Sequence, residues 1–189
     1  MVSSRRAAAV RPYNPWQRGL HWTMAALIFI ALALGIVATQ LPRGGLRSDA
    51  LFVHKSFGVT IFALLILRIG VRVVAGAPAY REPLGRLAEW GSKAAHLILY
   101  ALMLVMPISG YVTSSAGGNI VPFFGLFVLP NVLPHDRELA GNASEAHFVF
   151  AWAIVLVLAL HVAAAFWHAW AKRDEVMERM WPGFSRRFV

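Results

Sequence analysis

The sequence predicts an all-α integral membrane protein, a four-helix bundle with both termini in the cytoplasm. Three observations predict this fold: a high content of hydrophobic residues, four long apolar segments, and an uneven distribution of lysine and arginine. Hydrophobic residues make up 58% of the 189 residues, whereas roughly 45–50% is usual in a soluble domain. The chain is short enough for one domain, and residues 1–189 are interpreted as a single transmembrane unit.

Each of the four apolar segments is long enough to cross a hydrocarbon core of roughly 30 Å as a helix. The predicted spans cover about residues 18–40, 51–75, 92–115 and 145–171. The fourth contains AHFVFAWAIVLVLALHVAAAFWHAWA, a stretch without a charged side chain. Pro107 and Gly110 predict a kink or a local break in the helical ladder of the third span. Between the third and fourth spans, IVPFFGLFVLP is too short to cross, and we expect it to lie at the interface or fold back over the bundle.

Lysine and arginine are concentrated on one side of the predicted bundle. Cytoplasmic segments next to membrane spans carry an excess of these residues, and the N-terminus, the second connection with its flanks and the C-terminus therefore lie in the cytoplasm. Because this topology explains the net charge of +9, and no basic stripe or arm is present, nucleic-acid binding is not expected. The cytoplasmic side carries Arg5, Arg6, Arg11, Arg18, Arg68, Arg72, Arg81, Arg86, Lys93, Lys172, Arg173, Arg179, Arg186 and Arg187, and the outer side only Arg43, Arg47, Lys55 and Arg137.

The chain contains no cysteine. This excludes disulfide bonds, thiolate metal sites and the C-x-x-C-H attachment of a c-type haem. Any haem would therefore have to be bound without a covalent link.

Four histidines can be assigned to depths in the membrane from their positions in the spans. His21 starts the first span near the cytoplasmic face, whereas His54 and His147 open the second and fourth spans at the outer face. His161 follows His147 after a rise of roughly 21 Å and just under four turns, so the two rings share one helix face. His161 therefore lies at the level of His21. The spacing predicts two pairs, His54 with His147 and His21 with His161.

Two neutral imidazoles that face each other across a bundle are suitable ligands for a six-coordinate haem iron. Zinc usually takes three or four protein ligands that include Cys, Asp or Glu, and the interior of the predicted bundle supplies none of these. Each single histidine could instead be an interfacial residue with a hydrogen bond, but the coincidence of two matched depths favours haem. Gly58 and Gly110 could let a flat ring approach the backbone, although small residues are equally common at plain helix contacts.

Three further residues could contact a haem propionate or a quinone near the cytoplasmic face: Arg68, Arg72 and His168. The two arginines could instead merely end a span on its positive side, and His168 could have no such role. His96 has no assigned role.

Eight short motifs follow one another in a specific order and spacing, although each is weak alone. They are LHW at 20–22, VHKSFG at 53–58, LRIGVR at 67–72, AHLILY at 95–100, MPISGYV at 106–112, the AH at 146–147, LHVAAAFWH at 160–168, and MERMWP at 177–182. In these motifs the sequence resembles the bacterial cytochrome b561 family, the prokaryotic di-haem b type, over about residues 13–182. The resemblance implies a four-helix bundle in the bacterial inner (plasma) membrane that holds two b haems.

The iron ligands implied by the resemblance are His21, His54, His147 and His161, the same four residues that depth pairs. Proteins similar to this one exchange electrons with ubiquinone, and one branch oxidises superoxide at the periplasmic face. The expected function is therefore that of a superoxide:ubiquinone oxidoreductase. The alternative is a cytochrome b subunit that passes electrons between a periplasmic dehydrogenase or hydrogenase and quinone. A metal or proton transporter is disfavoured, because the spans lack the carboxylates that such paths often use.

The basic residues of the outer side could attract superoxide, a small anion, toward the outer haem. Alternatively they solvate the loops, where acidic neighbours dilute their field. The candidate steering residues are Arg43, Arg47, Lys55 and Arg137, and the acidic neighbours are Asp49, Asp136, Glu138 and Glu145.

Overall fold

The computed structural model describes residues 10–81 and 84–184. Its long helices are α1 (Pro15–Gln40), α2 (Gly45–Ala75), α3 (Arg86–Ala116) and α4 (Arg137–Trp167). The strands β1 (Val121–Phe123) and β2 (Phe127–Leu129) form an antiparallel hairpin between α3 and α4. A π-helical turn (His168–Lys172) and the short helix α5 (Val176–Met180) follow α4. Four of the counted basic residues, Arg5, Arg6, Arg186 and Arg187, lie outside the described residues.

The four long helices are each long and apolar enough to cross a membrane. α1 packs against α2 and α3 packs against α4, and contacts between α2 and α3 join the two pairs. Large apolar side chains point outward, for example Leu97, which is 70% exposed, and Leu160, which is 62% exposed. In a bilayer this apolar outer surface contacts lipid tails. The structure thus confirms the predicted integral membrane four-helix bundle.

Local sequence explains where the helices begin. Asn14 caps α1, because its Oδ1 accepts a hydrogen bond from the Gln17 backbone N–H at 2.8 Å and Gln17 Oε1 accepts one from the Asn14 N–H at 3.4 Å. Pro15 follows at a position where its missing N–H has no cost. Asp136 caps α4 by accepting from Leu139 N at 3.0 Å. Helix α3 continues through Pro107.

Few side chains of the bundle are buried. The main core cluster consists of Met24, Ala31, Ile61 and Leu65, all on α1 and α2. Ile154 is the buried residue of α4. Protein interiors are ordinarily close-packed. The buried members of this cluster pack α1 against α2, and α3 and α4 contribute none of them.

The segment between α3 and α4 folds back over the N-terminal part of α2, which agrees with one of its two predicted placements. The fully buried Ser56 holds this segment in place. Its Oγ accepts a hydrogen bond from Phe124 N at 3.0 Å and lies 3.2 Å from the Pro122 carbonyl oxygen. Lys55 Nζ donates to the Ile120 carbonyl oxygen at 2.9 Å. The turn of the hairpin places Phe124 (φ 47°) and Gly125 (φ 76°) in the left-handed region. We call this end of the bundle the hairpin end.

The opposite end is closed by α5, the N-terminal segment and the connection between α2 and α3, and we call it the basic end. Arg179 of α5 is 2% exposed and lies between the rings of Tyr13 and Tyr80, 5.2 and 3.7 Å from their centroids. Its guanidinium donates to the Pro78 carbonyl oxygen, and its own carbonyl oxygen accepts from Tyr13 N at 3.0 Å. Burial raises the pKa of the Tyr80 phenol, so this ring stays neutral.

Candidate cofactor site

Both histidine pairs predicted from depth are brought together by the fold. At the hairpin end the ring centroids of His54 on α2 and His147 on α4 lie 6.1 Å apart. At the basic end those of His21 on α1 and His161 on α4 lie 6.3 Å apart. Each pair therefore joins a helix of the α1–α2 pair to α4. Backbone contacts between α4 and either α1 or α2 are few. The two imidazole pairs lie between α4 and these two helices.

The two rings at the hairpin end are held by the same local arrangement. His54 Nδ1 donates to the Ala31 carbonyl oxygen at 2.8 Å, and His147 Nδ1 donates to that of Met106 at 3.1 Å. A glycine lies four residues after each acceptor. A Cβ added at Gly35 would lie 3.2 Å from His54 Cε1, and one added at Gly110 would lie 3.0 Å from His147 Cε1. Each imidazole thus packs against a helix surface that only glycine leaves free.

These hydrogen bonds determine which ring nitrogen is available for coordination. A carbonyl oxygen only accepts, so the proton of the neutral imidazole must be on Nδ1. The lone pair is then on Nε2, and an Nδ1–H bond to a carbonyl is the usual outer support of a metal-binding histidine. Ser109 Oγ adds a further contact, 3.0 Å from His147 Nδ1. Both hairpin-end histidines are therefore in the tautomer that coordinates through Nε2.

The basic-end pair is arranged differently. Arg68 Nη2 lies 3.1 Å from His21 Nδ1 and Nε donates to the Tyr100 hydroxyl at 3.0 Å. Because a guanidinium only donates, His21 Nδ1 is the acceptor. His96 on α3 also reaches this site, and its ring centroid lies 5.4 Å from that of His161. This contact of His96 was not predicted, because its depth has no partner in the pairing of the other histidines.

The ring separations agree with haem ligation. A metal–imidazole bond is about 2 Å long, which places the ring centroids of two trans imidazoles about 6 Å apart. Plain edge-to-face contacts between rings cover about 4.5–7 Å, so the separation alone does not decide. The Nδ1 bonds of His54 and His147 to carbonyl oxygens favour ligation. No three His, Cys, Asp or Glu side chains of the described residues converge to hold a bare metal ion.

A cavity of about 480 Å³ opens at the basic end, lined in part by Arg68, the residue that contacts His21. Basic side chains dominate its polar lining, with Arg68, Arg72, Lys93 and Arg179 against the single carboxylate of Glu89. Arg72 also donates to the Gly76 carbonyl oxygen at 3.0 Å. The structure therefore places Arg68 and Arg72, two predicted contact residues, at a cavity suited to carboxylate or other electron-rich oxygen groups.

His168, the third predicted contact residue, lies elsewhere. It starts the π-helical turn, and its Nδ1 lies 2.5 Å from Asp174 Oδ2. It does not line the basic-end cavity. His168 instead contacts Asp174 just after the C-terminal end of α4. The backbone N–H of Asp174 also donates to the His168 carbonyl oxygen at 3.2 Å.

The four basic residues predicted on the outer side all lie at the hairpin end. Arg43 lies in the α1–α2 connection and Arg137 opens α4, and both are exposed. Arg47, in the first turn of α2, is half-buried. Lys55 is bound to the carbonyl oxygen of Ile120 beneath the hairpin. Three of the four are therefore free of the hairpin, whereas Lys55 also supports it.

Comparisons with known proteins assign the family. The profile of the family described as "Prokaryotic cytochrome b561" matches residues 12–183. The chain is 30% identical to "Cytochrome b561 homolog 2" of Escherichia coli (strain K12), over 89% of this chain and 90% of the relative. It is 25% identical to "Probable superoxide oxidase CybB" of Yersinia pestis, over 91% and 97%. It is also 25% identical to "Cytochrome b562" of Cereibacter sphaeroides, over 89% and 94%.

The match covers all four spans, both histidine pairs and α5. Together with the four helices it makes this chain a multi-pass protein of the bacterial inner membrane, and the family binds haem b and transfers electrons across that membrane. The chain belongs to the prokaryotic cytochrome b561 family.

Proposed function

We propose that this protein is a di-haem b oxidoreductase that takes electrons from superoxide at the periplasmic face and delivers them to ubiquinone. One observation carries the proposal: the fold forms two cross-bundle imidazole pairs, one at each end of the bundle. Each pair would hold one haem b, through His54 and His147 at the hairpin end and through His21 and His161 at the basic end. When bound, the haem iron supplies one-electron chemistry.

The orientation of the bundle follows the positive-inside rule. The N-terminal segment, the α2–α3 connection and α5 meet at the basic end, as shown by the hydrogen bond from Tyr13 N to the Arg179 carbonyl oxygen. We therefore place both termini in the cytoplasm and the hairpin end in the periplasm. His54 and His147 then hold the periplasmic haem.

Superoxide is proposed as the donor for two reasons. A relative that covers nearly the whole chain carries the name "Probable superoxide oxidase CybB", and the hairpin end presents the exposed cations Arg43 and Arg137. Two superoxide anions give up one electron each and become dioxygen. The two electrons and two protons convert one ubiquinone into ubiquinol, so the reaction balances without another reactant.

Main-chain and side-chain groups of the protein have separate roles in that reaction. The carbonyl oxygens of Ala31 and Met106 fix the tautomer and orientation of the hairpin-end imidazoles. The cations of the hairpin end raise the local concentration of a small anion. At the basic end, Arg68 and Arg72 are proposed to bind haem propionates or a quinone oxygen in the cavity that they line.

A second candidate is an electron-transfer subunit that docks a periplasmic dehydrogenase or hydrogenase. The observation that favours it is the exposed apolar tip of the hairpin, where Leu126 is 77% and Phe127 54% exposed. An exposed apolar patch of this kind can be a protein interface. In this case no substrate would react on the chain itself.

The decisive experiment uses purified protein in nanodiscs without any partner. A dithionite-reduced minus oxidised spectrum with pyridine haemochrome quantification should give two b haems per chain. Superoxide generated enzymatically should then reduce a ubiquinone analogue, and superoxide dismutase should abolish this reduction. Two haems without superoxide-driven quinone reduction would support the subunit instead, and one haem or none would contradict the di-haem assignment.

A further inference from the structure

We propose that the hairpin between α3 and α4 is a membrane anchor, whose apolar tip lies among the lipid headgroups and the outer ends of the acyl chains at the hairpin end. The apolar tip consists of four exposed side chains, Phe124, Leu126, Phe127 and Val128. An exposed apolar patch of this kind marks either a protein interface or a membrane contact. The depth of the tip relative to the spans favours lipid as its partner. Haem and quinone have no part in this placement.

Helix α2 shows where the apolar surface of the bundle begins at the hairpin end. Its first turns carry the charged Arg47 and Asp49, whereas all exposed residues from Phe52 to Val74 are apolar. The helix rises about 33 Å between these two residues, which is close to the roughly 30 Å thickness of a hydrocarbon core. The boundary between lipid and water at the hairpin end therefore lies near Phe52.

Helix α4 places the boundary at the same level. Charged side chains in its N-terminal part end at Glu145, and its exposed apolar surface begins at Phe148. His147 lies between these two residues and pairs with His54, with 6.1 Å between the ring centroids. Since His54 is only two residues from Phe52, both helices cross the boundary at the level of this histidine pair.

The turn of the hairpin reaches past this boundary toward the centre of the bilayer. Phe124 N donates to Ser56 Oγ at 3.0 Å, and the ring centroids of Phe124 and Phe57 lie 5.6 Å apart. Ser56 lies about one helical turn further into the membrane than Phe52, a rise of about 6 Å. Apolar elements that lie in a membrane interface are buried by about 5–10 Å. Folding back over α2 and lying at the interface, the two placements expected for this segment, are therefore compatible.

The polar groups of the segment also suit a lipid interface. Backbone groups need partners within the protein where water is scarce. Leu126 N donates to the Phe123 carbonyl oxygen at 2.9 Å, and the Ile120 carbonyl oxygen accepts from Lys55 Nζ at 2.9 Å. Residues 114–134 contain no Asp, Glu, Lys or Arg, so no charged side chain of the segment would have to leave water.

The anchor has a consequence for partners of the protein. An apolar tip that is covered by lipid is not available to a soluble periplasmic dehydrogenase or hydrogenase. The hairpin would also keep a fixed position next to His54, because Ser56 binds it from a position two residues further along the same helix.

Spin labelling tests the depth of the apolar tip. Because the chain contains no cysteine, a single introduced cysteine can carry a nitroxide label at one chosen position. Dissolved oxygen concentrates in hydrocarbon and a nickel chelate stays in water, so their relative effects on EPR power saturation report depth. The holoprotein is studied in nanodiscs of phosphatidylethanolamine and phosphatidylglycerol.

Three exposed positions are compared: Leu126→Cys in the apolar tip, Leu156→Cys as the lipid reference and Glu138→Cys as the water reference. We expect oxygen to have the larger effect at positions 126 and 156, with position 126 the shallower of the two. The nickel chelate should have the larger effect at position 138. Val128→Cys repeats the measurement at a second position of the tip, and circular dichroism checks the folding of every variant.

Two results would overturn the proposal. A larger effect of the nickel chelate at positions 126 and 128 would place the tip in water. A label shielded from both reagents at these positions would mean that protein covers the tip. A wild-type protein with fewer than two haems would instead contradict the proposed function and leave the depth of the tip unaffected, so the two failures are distinguishable.

Discussion

The imidazole of His54 donates its Nδ1–H to the main-chain oxygen of Ala31, 2.8 Å away on the neighbouring helix. His147 has the same relationship to Met106, although α1–α2 and α3–α4 differ in sequence. In both cases a glycine one turn later, Gly35 or Gly110, makes room for the ring. The same arrangement of histidine, carbonyl oxygen and glycine therefore occurs once in each helix pair. Main-chain oxygen atoms hold both imidazole rings in place.

Adding a methyl group at Gly110 should weaken haem binding at the hairpin end. The new Cβ of Gly110→Ala would lie 3.0 Å from His147 Cε1, so the ring that bonds the Met106 carbonyl oxygen must shift by a few tenths of an ångström. Changes to the groups that orient a metal ligand typically cost about 10–100-fold in affinity. We expect partial loss of one haem, measured by haemochrome quantification after dilution into haem-free buffer.

Two glycines make this experiment selective. Gly35→Ala should have a smaller effect, because its Cβ would lie 3.2 Å from His54 Cε1. Gly141→Ala on α4 is the control, since a Cβ there meets no atom within 4 Å and alanine is favoured over glycine in a helix by roughly 0.5–1 kcal/mol. Equal haem retention in Gly110→Ala and Gly141→Ala would refute the steric argument.

Removal of a single hairpin-end histidine should remove one haem and leave the other. His54→Ala or His147→Ala deletes one of the two imidazoles proposed to hold the hairpin-end haem, whereas the His21–His161 pair at the opposite end is untouched. His161→Ala should do the converse. Haem content should fall from two to one per chain, with a simplified α-band in the reduced spectrum.

The exposed loop residue His135 provides the control for these substitutions. His135→Ala should retain both haems. Loss of both haems in His54→Ala, in a protein that remains helical by circular dichroism, would show that the two sites are not independent.

Much of this arrangement was accessible from sequence, because the rise per helical residue fixes depth. Fourteen residues between His147 and His161 suffice to assign them to opposite ends of one helix face. The contact of His96 with His161 could not be predicted in this way, since it depends on how α3 rotates against α4. The β-hairpin also escaped prediction. Its strands have three residues each, too few for a clear alternation, and Ser56 holds it from a distant helix.

Replacing Ser56 should loosen the hairpin without unfolding the bundle. The buried Oγ accepts from Phe124 N at 3.0 Å, and Ser56→Ala leaves this N–H without its partner. Loss of such a hydrogen bond typically costs about 0.5–1.5 kcal/mol. We expect faster hydrogen exchange at residues 121–129, read by mass spectrometry, whereas exchange within α1 stays unchanged.

Thr60→Ala is the matched control on the same helix. Thr60 Oγ1 donates to the Ser56 carbonyl oxygen at 2.9 Å and makes no hydrogen bond to the hairpin. Its loss should leave exchange at residues 121–129 unaltered. An identical exchange profile for Ser56→Ala and wild type would mean that other contacts, such as Lys55 with Ile120, hold the hairpin.

Neutralising the hairpin-end arginines should slow the reaction with superoxide. The triple variant Arg43→Gln/Arg47→Gln/Arg137→Gln removes three cations near the proposed periplasmic haem and leaves Lys55, which supports the hairpin. Charge steering raises association rates by about 10-fold or more at low salt. Screening shortens its range to about 10 Å at 0.1 M ionic strength. The variant should therefore be slower at low salt, and its rate should depend less on added salt. The measurement is stopped-flow reduction of the haem by superoxide at several ionic strengths.

A matched variant at the basic end, Arg86→Gln/Lys172→Gln/Arg173→Gln, carries the same change in net charge and should behave like wild type. If the two triple variants show the same rates and the same salt dependence, the hairpin-end cations do not steer superoxide.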